Sequence, residues 1–389
     1  MFRNMSAKWF GMVALALFIA GCAGQTRELI ANRIVDVPAS AIAGEHEIFV
    51  ATTRAPATNP REVFSGARSP SVRFAQVDMT VPAIHKTGEI ERRSGGQSAD
   101  PSKYFTARKV TTFDNVGGFS KALHEDIARN GGRALVFVHG YNTSFDSAVY
   151  RLTQIAHDAE YSGTPVLFSW ASGGRVVDYV YDNNSATAAR DALEQTLRLV
   201  AQSGAKRIDI IAHSMGTWVA MEALRQLAIT NDRDLNGRLG DVVLASPDID
   251  VDVFKSQMRR YGKPDKPFFL FMSTNDRALD LSRIIAGNKP RVGGYENAAD
   301  LAALGVTVVD LSNASAGDRL NHTKFADNPV LVRLLGERLL QDGSLGTGEQ
   351  VGDRIGSFTG GITQAIGSAA EIVITTPFEV LNVVVAGAR

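Results

Sequence analysis

The chain has 389 residues, 44% of them apolar and 21% charged, so a sizeable core can be buried in one large domain or two ordinary ones. Lys plus Arg number 41 and Asp plus Glu number 41. With no net charge and no basic run, nothing points to nucleic acid as a partner, and no internal repeat or long low-complexity tract interrupts the sequence.

At the start, Arg3 and Lys8 precede the apolar stretch W-F-G-M-V-A-L-A-L-F-I-A-G-C. A basic beginning, a short apolar segment and a small-residue exit read as a secretory signal over residues 1–21, not as part of the fold. The stretch is too short for a comfortable transmembrane helix. Ile19-Ala20-Gly21-Cys22 resembles the bacterial lipobox, and the resemblance implies that Cys22 is lipidated and becomes the new N-terminus. Cys22 is the single cysteine, so no intramolecular disulfide is possible. Removing the signal takes away Arg3 and Lys8 and no acid, which leaves a slightly acidic chain. Ala23 is not the aspartate that often marks inner-membrane retention, so the expected location is the bacterial cell envelope, at the outer membrane facing the periplasm. Residues 22–44 read as the lipidated N-terminus and a polar linker.

H-E-I-F-V-A-T-T-R then reads as a strand, and R-F-A-Q-V-D-M-T-V alternates as a half-exposed strand does. K-T-G-E-I-E-R-R and Y-F-T-A-R-K-V-T-T-F are candidate further strands, and F-S-K-A-L-H-E-D-I-A-R has helical spacing. From residue 133 the pattern is regular. A-L-V-F-V leads into His139-Gly140-Tyr141-Asn142 and a helix from Ser144 to about Glu160. P-V-L-F-S-W precedes the helix D-A-L-E-Q-T-L-R-L-V-A-Q. R-I-D-I-I-A-H runs into Ser214 and the helix T-W-V-A-M-E-A-L-R-Q-L. D-V-V-L-A-S, P-F-F-L-F-M-S-T-N-D and G-V-T-V-V-D-L are the later strands, with a closing helix near residues 329–341. Strands alternating with helices imply parallel pairing, and unbroken Val/Ile/Leu/Phe runs imply strands buried on both faces. The expected fold is α/β, a mostly parallel sheet with helices on both faces, over residues 45–342: N-terminal strands to residue 130, then the core. Ligands should bind beyond the carboxyl ends of its strands.

Ser214 sits at that edge, where a buried strand turns into a helix. Ala212 and Gly216 flank it at −2 and +2, and a sharp turn is expected to bring these two positions together, so both are small. The turn points the Met215 amide toward an anion bound there. A serine nucleophile needs an imidazole base, and the base needs an acid to hold its tautomer. His322, in the polar loop L-N-H-T-K-F-A-D-N-P, is the candidate base. Asp276, just past the strand F-F-L-F-M, is the preferred acid. Asp248 and Asp250 are its rivals, although Asp248 also suits a helix cap. The second oxyanion donor is expected from the amide of Tyr141 or Asn142, with His139 supporting that loop. His213 is expected to point away from the reacting atoms.

With those motifs in place, the chain resembles an α/β-hydrolase of the esterase/lipase superfamily, in a bacterial lipoprotein group of undefined function. F-V-A-T-T-R, F-V-H-G-Y-N, F-S-W-A-S-G-G-R-V-V-D-Y, A-H-S-M-G-T, M-S-T-N-D and N-H-T carry the resemblance, across about residues 46 to 340. It implies a Ser214–Asp276–His322 triad that cleaves carboxylic esters through an acyl-serine. The same residues would also serve acyl transfer to another acceptor, and a lipid-anchored envelope protein without turnover is the reading from a different class. The expected partners are a small-molecule or lipid ester and the membrane, and oligomeric state is left open.

Trp170, Tyr179 and Tyr181 are candidates to wall the substrate pocket, or else part of a packed connection with Asp182 as a cap. No zinc-like Cys/His spacing or phosphate-cradling glycine loop is present, and no cofactor or metal is expected. In the glycine-rich tail, residues 343–389, Ile355, Phe358, Ile362, Ile366 and Ala369 fall at helical spacing before Pro377. Glycines make such a helix weak alone, so it should dock on this domain, a second copy or a membrane surface.

Overall fold

In the computed structural model, which describes residues 27–314, 318–340, 370–378 and 380–385, the N-terminal elements are β1 (Ile42–Pro56), β2 (Phe64–Pro82), β3 (Thr106–Phe113) and helix α1 (Val116–Arg129). The regular alternation follows: β4 (Arg133–Val138), α2 (Phe145–Asp158), β5 (Thr164–Ser169), α3 (Tyr179–Gln202), β6 (Arg207–His213), α4 (Gly216–Ile229) and β7 (Leu239–Ala245). It continues with α5 (Val251–Tyr261), β8 (Phe268–Met272), α6 (Arg277–Ile285), α7 (Ala298–Ala302) and β9 (Val306–Asp310). α8 (Lys324–Asp327), α9 (Pro329–Leu340), β10 (Ala370–Thr375) and β11 (Val380–Val385) come last.

All eleven strands form one sheet, ordered β11-β10-β9-β8-β7-β6-β4-β5-β1-β2-β3. From β9 across to β1 every pairing is parallel; β2 and β3 at one edge and β10 and β11 at the other add antiparallel. The parallel strands are buried on both sides, as unbroken apolar runs require. In β4, Ala134, Val136 and Val138 face one apolar cluster, and Leu135 and Phe137 face the other. α1, α3, α4 and α5 cover the first cluster; α2 and α9 cover the second. The chain leaves β4 for β5 through α2 on one face, then returns past β4 to β6 through α3 on the other. Such a reversal opens a crevice at the carboxyl edge, next to the ends of β4 and β6.

The segments on either side of the core add contacts that the sequence reading did not assign. Residues 27–41 lie against the domain: Leu29 is buried, and Ala99 bridges Ile34 by accepting from the Val35 amide and donating to Arg33 O, both at 2.8 Å. K-T-G-E-I-E-R-R forms a turn and an irregular run instead of a strand: Gly88, at φ +91°, breaks the extended backbone. α3 starts at Tyr179, twelve residues before the expected D-A-L-E-Q stretch, so the polar segment after β5 is mostly helix. Past Pro377 the tail supplies β11, and β10 before it pairs with β9, Ile374 opposite Val309. The apolar stripe expected from Ile355 to Ala369, the signal segment and Cys22 lie outside the described residues. Among the described residues no helix is long and apolar enough to cross a membrane.

Candidate active site

Ser214 leaves β6 with φ of 52°, a left-handed conformation that a non-glycine residue keeps only inside a supporting framework. Its N–H donates to Ala245 O at 2.9 Å, and its carbonyl accepts from Thr217 Oγ1 at 2.6 Å and the Asp248 amide at 3.3 Å. Gly216 is required where the elbow presses on the end of β4: a Cβ there would lie 2.3 Å from His139 O and 2.6 Å from Val138 O. The nearest crowding thus comes from the neighbouring strand. A Cβ on Gly140 would likewise lie 2.8 Å from Ser214 Cβ, so the H-G-Y-N loop and the serine share one small space.

That loop narrows the choice of oxyanion donors. The Asn142 amide donates to Asp182 Oδ2 at 3.1 Å, so it is committed elsewhere. Among the described residues the amides of Tyr141 and Met215 have no hydrogen-bond partner, which leaves this pair. Asp182 ties the loop down: it also accepts from Ser172 Oγ at 2.5 Å and the Gly173 amide at 2.7 Å. Burial pushes its pKa up against those bonds.

Beneath the loop, Arg54 at the end of β1 is buried and spends its donors on Ser169 Oγ, Thr143 O, Ser65 O and Ser172 O at 2.6–3.1 Å. Burial draws its pKa down to about 10. His139 stacks on Trp170 with ring centroids 5.1 Å apart. Burial, with Arg54 nearby, holds the His139 pKa down to about 3, so the ring is neutral. Its Nδ1–H then donates to Gly140 O at 2.8 Å, and Nε2 accepts from Ser169 and Arg54. His139 therefore holds up the loop and has no part in proton transfer.

Asp276 and His322 meet from the ends of β8 and β9. Asp276 Oδ2 accepts from His322 Nδ1 at 2.7 Å, while Oδ1 caps α6 by accepting from the amides of Ala278 and Leu279 at 3.0 and 3.1 Å. One carboxylate thus fixes both a helix start and an imidazole. Burial draws the His322 pKa down, but the Asp276 charge and hydrogen bond, then Asp248 and Asp318, outweigh it, and the net shift is upward.

The His322 loop is clamped by residues that sequence reasoning missed. Asp318 accepts from the amides of Leu320, His322 and Thr323. Lys324 is buried and donates Nζ to Ser273 Oγ, Asn275 Oδ1 and Leu311 O at 2.8–3.0 Å, joining the acid's loop to the histidine's loop. His213 and Ser246 both donate to the His322 carbonyl, at 3.2 and 3.1 Å. These two residues flank Ser214 through the β6–β7 ladder, so His322 and Ser214 lie at one sheet edge and not on opposite faces. Asn142, Ser214, Ser246 and Asn321 all carry positive φ, so backbone strain gathers around this edge. Among the described residues the Ser214 hydroxyl makes no hydrogen bond of its own; such contacts tighten when substrate enters.

The other candidates fall outside the reacting centre. Asp248 accepts from Tyr179 OH at 3.1 Å and from Ser282 Oγ, and it pairs with Arg291 Nε at 3.2 Å. Asp250, not Asp248, caps α5 through the Asp252 and Val253 amides. Trp170 is wholly buried, with Nε1–H on His139 O at 2.8 Å, and so it supports the loop instead of walling a pocket. Tyr181 turns the other way, bonding Gly66 O at 3.0 Å beneath the Arg68 guanidinium. Tyr179 does border the site, edge-on to Tyr141 with centroids 5.2 Å apart. A cavity of about 600 Å³ opens behind the acid, lined by Asp276, Leu279, Arg283, Arg291 and Tyr295; neither Ser214 nor His322 lines it. Among the described residues the group spaced to hold a metal ion is His85, His157 and Asp158, whose ligand atoms lie within 4.8 Å of one another. It sits at the amino edge of the sheet, where α2 ends and β1 begins.

The family model described as "Alpha/beta hydrolase of unknown function (DUF900)" matches residues 117–338, more than half of the chain, from within α1 to within α9. No curated protein matches. Among solved structures, the Pyrococcus furiosus esterase Pf2001 is 16% identical, with 54% of this chain and 84% of that chain covered, at a TM-score of 0.31. A Pyrobaculum calidifontis esterase is 11% identical, with 77% and 85% covered, at 0.36. Both are too distant to carry their chemistry to this protein. The fold and the family match agree, and the chain belongs to the α/β-hydrolase family of unknown function that this model describes.

Proposed function

We propose that the protein is a serine hydrolase of carboxylic esters. One observation carries the reading: the Asp276–His322 pair, 2.7 Å apart, is held at the same sheet edge as a serine in a strained elbow. His322 Nε2 takes the proton as Ser214 Oγ attacks the ester carbonyl. The Tyr141 and Met215 amides receive the developing oxyanion. The tetrahedral adduct collapses, His322 returns the proton to the departing alcohol, and an acyl-serine is left. Water, deprotonated by His322, then releases the acid and restores Ser214. Asp276 keeps the imidazole in the tautomer with Nδ1–H and stabilises its cation. None of these steps calls on a cofactor. The signal segment and Cys22 support a second part of the reading: a lipid-anchored protein of the bacterial envelope.

The test is labelling with a fluorophosphonate probe, followed by turnover of an acyl-chain-length series. Wild type should label; Ser214→Ala should lose the label and about 10⁴-fold or more in kcat. Persistent labelling of folded Ser214→Ala would move the nucleophile elsewhere.

A further inference from the structure

Ten large hydrophobic side chains are exposed among the described residues, and six of them lie on two segments that border the crevice. Val176, Val177 and Val180, at 43%, 78% and 68% exposure, lie on the turn into α3 and its first residues. Leu281, Ile284 and Ile285, at 45%, 59% and 49%, lie on α6, the helix capped by Asp276. The two triplets are joined through the site itself. Tyr179, between the valines, shares a hydrogen bond with Ser282 of α6 at 2.7 Å, and Tyr141 OH donates to Val176 O. A clustered aliphatic rim around a polar crevice marks an interaction surface.

The approach of the chain's N-terminal side says what covers it. Arg27 donates to Gly174 O at 2.8 Å, two residues before Val176. Cys22 is five residues upstream, and five residues span at most about 18 Å. A lipid on Cys22 would thus hold the bilayer beside this rim at high effective concentration. The charges at the rim are paired internally, Arg175 with Asp178 at 2.7 Å and Arg283 with Asp280 at 3.7 Å, so apolar contact is the means of attachment.

We infer that the rim of Val176, Val177, Val180, Leu281, Ile284 and Ile285 docks on the bilayer anchoring the chain, and that Ser214 takes acyl esters of lipids from it. This rests on the serine-hydrolase and Cys22 readings. The docking has a thermodynamic consequence: it is driven by apolar burial and persists at high salt, unlike binding to headgroup charge.

The full chain, matured in a bacterial envelope, is reconstituted in vesicles of phosphatidylethanolamine with a minority of phosphatidylglycerol and a nitroxide-labelled lipid. Lipidation consumes the single native cysteine, so Val177→Cys, Ile284→Cys and a distant control, Lys109→Cys on β3, each take one environment-sensitive fluorophore. Quenching and a blue shift at positions 177 and 284, absent at 109 and unchanged by salt, support the docking. No quenching at 177 and 284 overturns it, as does a rim that instead buries itself in a dimer detected by sedimentation. Val177→Glu with Ile284→Glu should lower turnover of a bilayer-embedded ester about tenfold or more and leave a water-soluble short ester within about twofold. Equal loss on both esters overturns the substrate assignment. If mass spectrometry finds Cys22 unmodified, the anchor reading fails, and quenching at saturating vesicle concentration still decides the docking. If wild type cleaves no ester, the hydrolase reading fails and the quenching result stands.

Discussion

Two buried histidine–aspartate pairs, each 2.7 Å long, sit at opposite edges of the same sheet. At the carboxyl edge, Asp276 holds one nitrogen of His322. At the amino edge, His85 is held by two carboxylates, Asp158 at Nε2 and Glu91 at Nδ1, 2.8 Å away. Asp158 is in turn saturated by the Gly88 amide and Gln154. The short bond is common to both, so it does not by itself mark a catalytic site. A site also needs an uncommitted imidazole nitrogen, a strained nucleophile and unpartnered amides, and those gather only around His322 among the described residues. His85 reads instead as a bolt between the loop after β2 and the end of α2.

The largest expected effect breaks the two pairs separately. His322→Ala should lower kcat about 10⁴-fold or more in protein that remains folded. His85→Ala should leave the buried Asp158 carboxylate without its histidine partner, cost about 3–5 kcal/mol of stability, and leave kcat near wild type below the melting range. Melting curves and initial rates on both variants check this. A His85 variant that stays folded and loses turnover would erase the distinction.

The acids come next. Asp276→Asn keeps the α6 cap, since asparagine caps as well as aspartate, but presents the wrong group to Nδ1–H. A fall of about 10³–10⁴-fold in kcat is expected. Asp248→Asn, whose partners are Tyr179, Ser282 and Arg291, should cost about tenfold or less, through the crevice wall. Reversed magnitudes would make Asp248 the working acid.

Both histidines have raised pKa values, but pH is read through stability at His85 and through activity at His322. Burial draws the His85 pKa down, but the hydrogen bonds and charges of Asp158 and Glu91 raise it above the ordinary value. A raised histidine stabilises the fold fully below about pH 6.5, and that contribution is lost as pH climbs through the folded-state pKa. His322 must be neutral to act as base, so kcat/KM should rise with pH through its own raised pKa, placing the acid limb above about 6.5. Asp276→Asn removes the charge that raises it and should move the limb to lower pH. A limb that stays put, measured on residual activity, would detach it from His322.

The sheet, Ser214, Asp276 and His322 were legible because each follows an apolar run long enough to be a buried strand, and the carboxyl ends of parallel strands converge. What could not be read is what lies across the sheet. Arg54 ends an ordinary strand in F-V-A-T-T-R, and nothing local shows that its donors meet Ser169 and Thr143, 115 and 89 residues away. Lys324 follows the histidine like a surface residue, yet its ammonium closes two loops. β10 and β11 are set by β9 offering an unpaired edge, a partner that local periodicity cannot reveal.

The smallest effect tests the aromatic segment after β5. The sequence put Tyr179 and Tyr181 on one footing as pocket candidates, but two residues along a helix turn the side chain about 200°. Tyr179 points to Asp248 and Ser282 at the crevice, and Tyr181 to Gly66 on β2. Tyr179→Phe should raise KM severalfold, because Asp248 and Ser282 lose a partner beside the bound ester. Tyr181→Phe removes one half-buried hydrogen bond, cannot reach the substrate, and should leave kcat and KM within about twofold while costing about 1 kcal/mol of stability. Saturation kinetics on the two variants decides between them. Equal KM shifts would mean that the whole turn, valines included, moves as one body over Ser214.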